Sequence, residues 1–349
     1  MMKEHSASNS KVTIADIARD SGVSPATVSL VLRDKPGIGA ETRQRVLESA
    51  QNLGYLYRPT HQSQTSAKIT NFGLIIKVGP YDDPHSNIFY TPVMSGIEMI
   101  CRRSRVNLLY TTMPVDEHNN PLELPPLFTE GQVDGILLVG MHLNETMDAF
   151  LQQQSFPVVL VDAYTADHPY DSVVSDNVDG AYQAVRYLIQ NGHRHIGIIG
   201  SEPDSYPSVQ ERRQGYLKAL QEHELTPYLV DCALLPEAAS VAASALLRKN
   251  PEITAIFGCN DEVAIAVMQV ATKLGREVPK DLSVIGFDNI ALAQHITPPL
   301  TTMRIDKMGM GRLAAQLLLN RLEFPEAAKV QTVIHPHLIE RQSVQRPKT

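Results

Sequence analysis

Three apolar segments of this chain end on acids or amides: VVLVD on Asp162, AIFGCND on Asn260 and Asp261, and SVIGFDN on Asp288 and Asn289. In an open α/β sheet, ligands bind beyond the carboxyl ends of the strands, so these side chains are placed to meet one. An ionised carboxylate accepts several hydrogen bonds at once, which suits the vicinal hydroxyls of a sugar or a ribose. Arg212, at the start of RRQGYLKAL, adds a planar fork of donors able to reach ring and hydroxyl oxygens. Acids at strand ends also cap the helices that follow. Asp261 stands where it would cap EVAIAVMQVA, and for any one of these acids capping is the simpler reading.

Other groupings carry less chemistry. The chain has no GxSxG, no HExxH and no Walker loop. Gly309, Gly311 and Ala314 spell GxGxxA in GMGRLA, but Asp306, Lys307 and Met308 separate it from the strand LTTMRI, and the run continues as a helix. A nucleotide role is therefore not expected. His193 with His195, and His335 with His337, form HxH pairs without a third ligand nearby, so packing or surface roles are expected and no metal. Cys101, Cys232 and Cys259 never form CxxC and read as buried, inert thiols. No catalytic residue and no cofactor is expected.

Strand ends must be held by a sheet. From Asn71 onward, short apolar runs alternate with amphipathic stretches: FGLIIKV, VNLLYT, VDGILLV, PVVLVD, HIGIIG, TAIFGC and LSVIGFD. That alternation predicts parallel sheets with helices on both faces. Roughly 280 residues exceed one doubly wound unit of ordinary size, so two lobes with a cleft between them are expected.

Ahead of this body, residues 12–55 read as three short helices. Thr13 caps a run with Ile14, Ile17 and Ala18 at helical spacing, which Gly22 stops. Ser24 caps the next, with Pro25 at its first position and Val28, Val31 and Leu32 inside. After DKPGIGA, a third run buries Val46, Ala50 and Leu53 and stops at Gly54. Two short helices about a tight turn, with a third in support, make a helix-turn-helix. Residues 56–70 are polar, contain Pro59 and show no apolar period, as a linker would.

Charge divides the chain in the same place. Residues 1–68 hold nine Lys/Arg against six Asp/Glu, a net of +3, and the rest holds 22 against 32, a net of −10. A small basic head on an acidic body is a weak pointer to nucleic acid. A hydrophobic fraction of 43% with 20% charged residues excludes disorder, collagen and coiled coil. The longest apolar runs, such as GILLVG, fall far short of the roughly 20 residues that span a bilayer. The first ten residues are polar, so a soluble, cytoplasmic chain with no membrane partner is expected.

The segment VTIADIARDSGVSPATVSLVLRDKPGIGAETRQRVLESAQNLGY resembles the DNA-binding head of the lac-repressor family (LacI/GalR). NGHRHIGIIG, RRQGYLKAL, NDEVAIAVM, VIGFDN and TPPLTTMRID follow in family order, so the likeness spans about residues 11–343. The resemblance implies a homodimeric transcription regulator, read as a repressor. Its paired heads would grip a pseudo-palindromic operator, and a periplasmic-binding-protein-like body would hold a small effector in its interlobe cleft. The implied fold is α/β: an N-terminal all-α helix-turn-helix head (1–58), a linker or hinge (59–70), and a two-lobed, doubly wound body (71–349). Lobe one would take 71–174 and 305–330, and lobe two 175–304 and 331–343.

By this likeness Ser24, Thr27 and Tyr55 contact phosphates, while Pro25, Ala26, Ser29 and Leu30 face the base edges. Pro, Ala and Leu cannot hydrogen-bond a base, so thymine-methyl contact is left to them and Ser29 is the best direct reader. Arg33 is a candidate for the salt-dependent backbone contacts, as are Arg43, Arg45 and Arg58. The chain departs from the family at Gln64, where a hinge leucine is usual, at Pro59, where the hinge helix would start, and at Gly39, where a serine usually caps the third helix. Weaker operator bending is expected without the leucine wedge.

In the cleft the likeness carries ligand roles onto Asp162, Arg212 and Asp261, with Phe89 and Tyr90 on the other lobe. The family's aromatic position is Leu234 here, and Tyr206 or Phe89 would substitute for it. A sugar effector is favoured, with a purine or nucleoside as the alternative. From another class, a solute-binding protein would lack the head, and a nucleotide-using α/β enzyme would need a phosphate-cradling turn directly after a strand.

Overall fold

The computed structural model describes residues 12–32, 37–53, 55, 70–79, 88–116, 120–165 and 170–348. The chain divides into two compact units, residues 1–69 and 70–349. Arg33, Arg58, Pro59, Gln64 and almost all of the linker lie outside the described residues.

In the first unit, α1 (Ile14–Ser21), α2 (Pro25–Leu32) and α3 (Ala40–Asn52) pack around Ile17, Ala18, Val28, Val31, Leu32, Val46 and Ala50. The Asp16 carboxylate accepts from the Thr13 N–H at 2.9 Å and its hydroxyl at 2.7 Å, which ties the first turn of α1. Gly22 ends that helix in the left-handed region, φ 68°, where a glycine carries no Cβ penalty. The Ser24 hydroxyl then accepts from the Thr27 N–H at 3.1 Å and starts α2 after one intervening residue. Ser49 donates to Asp20 at 2.5 Å and fastens α3 to α1.

The body runs β1 (Asn71–Val78), α4 (Tyr90–Arg103), β2 (Asn107–Pro114), β3 (Gly135–Val139), α5 (Glu145–Gln152), β4 (Val158–Val161) and β5 (Asp171–Ser175). It continues as α6 (Asn177–Gln190), β6 (Ile196–Ser201), α7 (Pro207–Glu222), β7 (Tyr228–Asp231), α8 (Pro236–Lys249) and β8 (Ala255–Gly258). The last elements are α9 (Asp261–Lys273), β9 (Ser283–Asp288), β10 (Thr301–Arg304), α10 (Lys307–Glu323), β11 (Gln331–Ile334) and β12 (His337–Ile339). They form two six-stranded sheets, β11-β5-β4-β3-β1-β2 and β12-β10-β9-β8-β6-β7. The first is parallel throughout; the second is parallel except for β12, which runs antiparallel to β10. The inner strands β3, β4, β8 and β9 are buried along their whole length, as parallel strands covered on both faces must be.

The chain crosses between the lobes three times: after β5, after β10 and after β11. The stretch 331–343, expected in lobe two, therefore divides. β11 joins lobe one through parallel pairing with β5, and β12 joins lobe two. The reason is a buried ion pair. Arg321 on α10 meets Asp171 on β5 at 2.8 and 3.0 Å, and the same guanidinium ties the carbonyls of Pro325 and Ala328. Asp171 also accepts from the Val330 N–H at 3.0 Å, so the chain leaves α10 already aligned with β5.

Helices α4 and α10 pack backbone to backbone on lobe one. A Cβ on Gly311 would overlap the Val93 carbonyl oxygen, and one on Gly96 the carbonyl of Met308. GMGRLA thus serves helix packing: Asp306 caps α10, and the glycines allow the close approach. Gly311→Ala gains about 1 kcal/mol of helix preference but presses on backbone that cannot yield. A net loss of about 1–3 kcal/mol is expected, read as a lowered midpoint in thermal unfolding.

Candidate functional site

The first candidate surface is the start of α2. Ser24, Pro25, Ala26 and Leu30 are exposed, and Thr27 and Ser29 are half-buried, while Val28 and Val31 turn into the core. The Ser24 and Thr27 hydroxyls lie 2.9 Å apart, so the helix start presents two hydroxyls beside the Ala26 N–H, a good phosphate partner. Leu30 keeps 42% of its surface in solvent on the same helix, too much for a core residue. Tyr55 differs: its side chain packs partly against the three-helix core.

The second is a cavity of about 460 Å³ in the body, at the carboxyl ends of both sheets. Lobe one contributes Lys77 at the end of β1, Phe89 and Tyr90 at the start of α4, and Asp162 just past β4. Lobe two contributes Tyr206, Ser208 and Arg212 from α7 and its entry, Leu234 to Glu237 before and within α8, Asn260, and Asp288 at the end of β9. The size suits a small molecule.

The cleft is built around Arg212, 5% exposed. Its Nε donates to Asn177 at 3.0 Å, one terminal nitrogen to the Cys259 carbonyl at 2.6 Å, and the other to Asp288 at 3.2 Å. The guanidinium lies 4.1 Å over the Phe287 ring. Asp162 accepts from the Tyr90 hydroxyl at 3.0 Å. Burial pushes its carboxyl up to about 6, against the pull of Arg212 and the Tyr90 hydroxyl. Lys307 donates to the Asp288 carbonyl, and burial lowers its ammonium below the usual lysine value.

Three residues at these strand ends bend backwards: Asp162 has φ 47°, Asp288 φ 99° and Asn289 φ 50°. Left-handed backbone at a non-glycine residue is strained, and such strain gathers where side chains must be aimed at a ligand.

Residues 13–57 match the family described as bacterial regulatory proteins, lacI family, and residues 185–344 match the periplasmic binding protein-like domain. The HTH-type transcriptional repressor PurR of Vibrio vulnificus is 30% identical over 96% of this chain and 99% of its own length. The ribose operon repressor of Haemophilus influenzae is 32% identical over 95% and 98%. The chain belongs to the LacI family. It is a DNA-binding transcriptional regulator, and these relatives are repressors. Among solved structures, the transcriptional regulator CelR in complex with cellobiose aligns with a TM-score of 0.68 at 25% identity, over 95% of this chain and 99% of that one. No helix among the described residues is long and apolar enough to cross a membrane.

Within this LacI-family chain, Asp162 from the strand-end reading, Arg212, and Phe89 and Tyr90 from the family likeness line one cavity. Asp261 is the exception. It borders the cavity but is 0% exposed, and both carboxylate oxygens are engaged inside lobe two. One accepts from the Thr302 hydroxyl at 2.5 Å, the other from the Ile290 N–H at 2.7 Å. Its carboxylate holds α9 to the chain between β9 and β10. The group turned to the cavity from this corner is Asp288, whose other role is the pair with Arg212. Asn260 uses its carbonyl oxygen to cap α9 at the Val263 N–H, 2.8 Å, which leaves its NH2 for the cavity wall. Lys77, Tyr164 and Glu211 were not anticipated. Lys77 closes β1 in the place where acids close the other strands, and only the assembled sheet reveals it.

The HxH pairs sit in different surroundings, and His335 gains acidic neighbours the sequence spacing did not show, Asp176 and Asp179. His193 is buried between the Thr254 hydroxyl and the Gln345 carbonyl, both at 2.9 Å, and His335 sits on the crossover between β11 and β12, exposed. The three cysteines are buried, with thiols pushed up by burial.

Burial raises Asp261 to about 7, with the Asp288 charge adding to the effect. Between the unfolded value near 4 and this one, the unfolded carboxyl ionises while the folded one keeps its proton. Stability from this group is therefore full below about pH 4 and is lost as pH rises to about 7. Asp261→Asn keeps the shape and has no proton to lose. The wild-type melting temperature is expected to fall relative to Asp261→Asn across that window, by an amount worth on the order of a few kcal/mol. Asp261→Ala strands the Thr302 hydroxyl and the Ile290 N–H, and should melt below both at every pH.

Proposed function

We propose that the cavity binds a small polyhydroxylated effector, with a monosaccharide-type sugar favoured, and that this binding sets operator affinity in a cytoplasmic, nucleoid-associated homodimer. The observation that carries this reading is the convergence of Asp162, Asp288, Asn260 and Arg212 from both lobes on one wall. Carboxyl oxygens accept from hydroxyls, while the Asn260 amide and the guanidinium donate to ring and hydroxyl oxygens. Phe89 and Tyr206 supply aromatic surface where Leu234 does not. Relatives named for ribose and cellobiose support the same class. A purine effector is the second reading, favoured by the PurR relatives at 30% identity.

Contacts to both lobes favour one lobe arrangement by their differential affinity, and that arrangement changes how two heads are held over paired half-sites. In the head, Ser24 and Thr27 meet phosphates and Tyr55 stands behind them. Pro25, Ala26, Ser29 and Leu30 read base edges. No chemical step is needed, and this regulator acts without catalysis.

Two measurements test these assignments. A thermal-shift screen of the full chain against sugars, nucleosides and purine bases should find a sugar that raises the melting temperature. At about 100 times its Kd the gain is about 2.7 kcal/mol, and it should be lost in Asp288→Asn. A purine-only response would transfer the assignment to the second reading. For the head, Leu30→Ala should weaken cognate operator binding by about 1–3 kcal/mol with an unchanged salt slope. Arg45→Ala should instead flatten that slope by about one unit. Equal loss on random DNA would remove Leu30 from the base-reading set.

A further inference from the structure

Two tyrosines reach across the cleft in opposite directions. Tyr206 enters from lobe two, directly before α7, and its hydroxyl donates to the Asp162 carbonyl of lobe one at 2.8 Å. Tyr164 extends from lobe one, where its N–H donates to the Met141 carbonyl and its carbonyl accepts from the Leu143 N–H, both at 2.8 Å. Its hydroxyl donates to Glu211 of α7 at 3.4 Å and accepts from the Asn177 amide at 3.1 Å. The two rings meet edge to face, centroids 5.5 Å apart. Lys77 of lobe one lies 4.3 Å over the Tyr206 ring, and His142 of lobe one meets the same ring edge to face, centroids 6.5 Å apart.

We propose that Tyr164 and Tyr206 form a reciprocal clasp that stabilises the closed arrangement of the cleft, and that they are positioning residues for the effector. The proposal rests on the cavity reading above and deepens it. Both phenols are pushed well above the ordinary tyrosine value by burial and neighbouring carboxyls, so each hydroxyl keeps its proton and its donor role throughout the working pH range. The clasp connects directly to the cavity, because Asn177 binds Tyr164, Glu211 and Arg212 together, immediately after the first crossover. An effector that needs both lobes in place draws on an arrangement the clasp already favours, so an open population lowers its apparent affinity less.

The test uses no small molecule, so it fails or succeeds independently of the effector assignment. Nitroxides are placed through Gln153→Cys on lobe one and Gln221→Cys on lobe two, both exposed, while the native cysteines are buried. Labelled full-length chain is diluted in unlabelled chain, and the intrachain distance is read by pulsed dipolar spectroscopy. The unsubstituted chain should give its main peak at the short, closed distance. Tyr206→Phe removes one interlobe hydrogen bond and should raise the open population about five- to tenfold. Tyr206→Ala removes the ring as well and should shift the main peak to longer distance, with circular dichroism unchanged. Tyr164→Phe should act in the same direction. A distance distribution in Tyr206→Ala that matches the unsubstituted chain would overturn the clasp. So would a broad, open distribution before any substitution.

Discussion

A guanidinium buried in the interior costs several kcal/mol unless its donors are met, and the body of this regulator is arranged to meet those of Arg212. Its partners come from three separate places: Asn177 past the first crossover, Cys259 past β8, and Asp288 at the end of β9. Satisfying one side chain therefore fixes α7, the first crossover and two strand ends relative to one another. Phe287 completes the seat. A ligand that met Arg212 would thus meet the residue seated against the first interlobe crossover.

The strain at the cleft follows from that arrangement. Asp162, Asp288 and Asn289 hold left-handed backbone at about 1–3 kcal/mol each, and all three lie where a strand ends beside the cavity. Something rigid must hold them there. Lobe one does so through the backbone contact of α4 with α10, which only glycine at positions 96 and 311 allows. Lobe two does so through Asp261, whose two buried hydrogen bonds tie α9 to Ile290, just past β9, and to Thr302 on β10. Asp261 and Asp288 both border the cavity, and the first also braces the second's strand end.

This division explains what could be read from the residues and what could not. The head was legible because its signals are local: Gly22 stops one helix, Ser24 and Pro25 start the next, and apolar residues recur at helical spacing. Most inner strands were legible because both faces are buried and they read as unbroken apolar runs; β5, DSVVS, was not, while edge strand β2 was read from VNLLYT. The other edge strands were not legible. β7 alternates half-buried and exposed residues, and β11 and β12 are three or four residues long. β11 belongs to lobe one because Arg321 and Asp171 meet across 150 positions, which no window of sequence displays. Strand-end logic found Asp261 and Asp288 together. Choosing between them needed Thr302, 41 residues away from Asp261.

The charge state of the wall narrows what the cavity can hold. Asp162 is raised to about 6 by burial, so near neutrality part of the population carries a proton on that carboxyl. A carboxyl near its midpoint both donates and accepts, as does a ligand hydroxyl, so the two match in either direction. Asp288 beside it is paired with Arg212, and with Lys77 the only other cation among the described residues of the lining, carboxyls outnumber cations around the cavity. A neutral, hydroxyl-rich ligand fits this better than an anion, which would have to approach Asp162 and Asp288 together. The ligand's discrimination between lobe arrangements then comes from how many of these oriented groups it reaches at once. A molecule touching Asp162 alone gains nothing from closure, whereas one that spans Asp162 and Arg212 is bound only when the lobes are brought together.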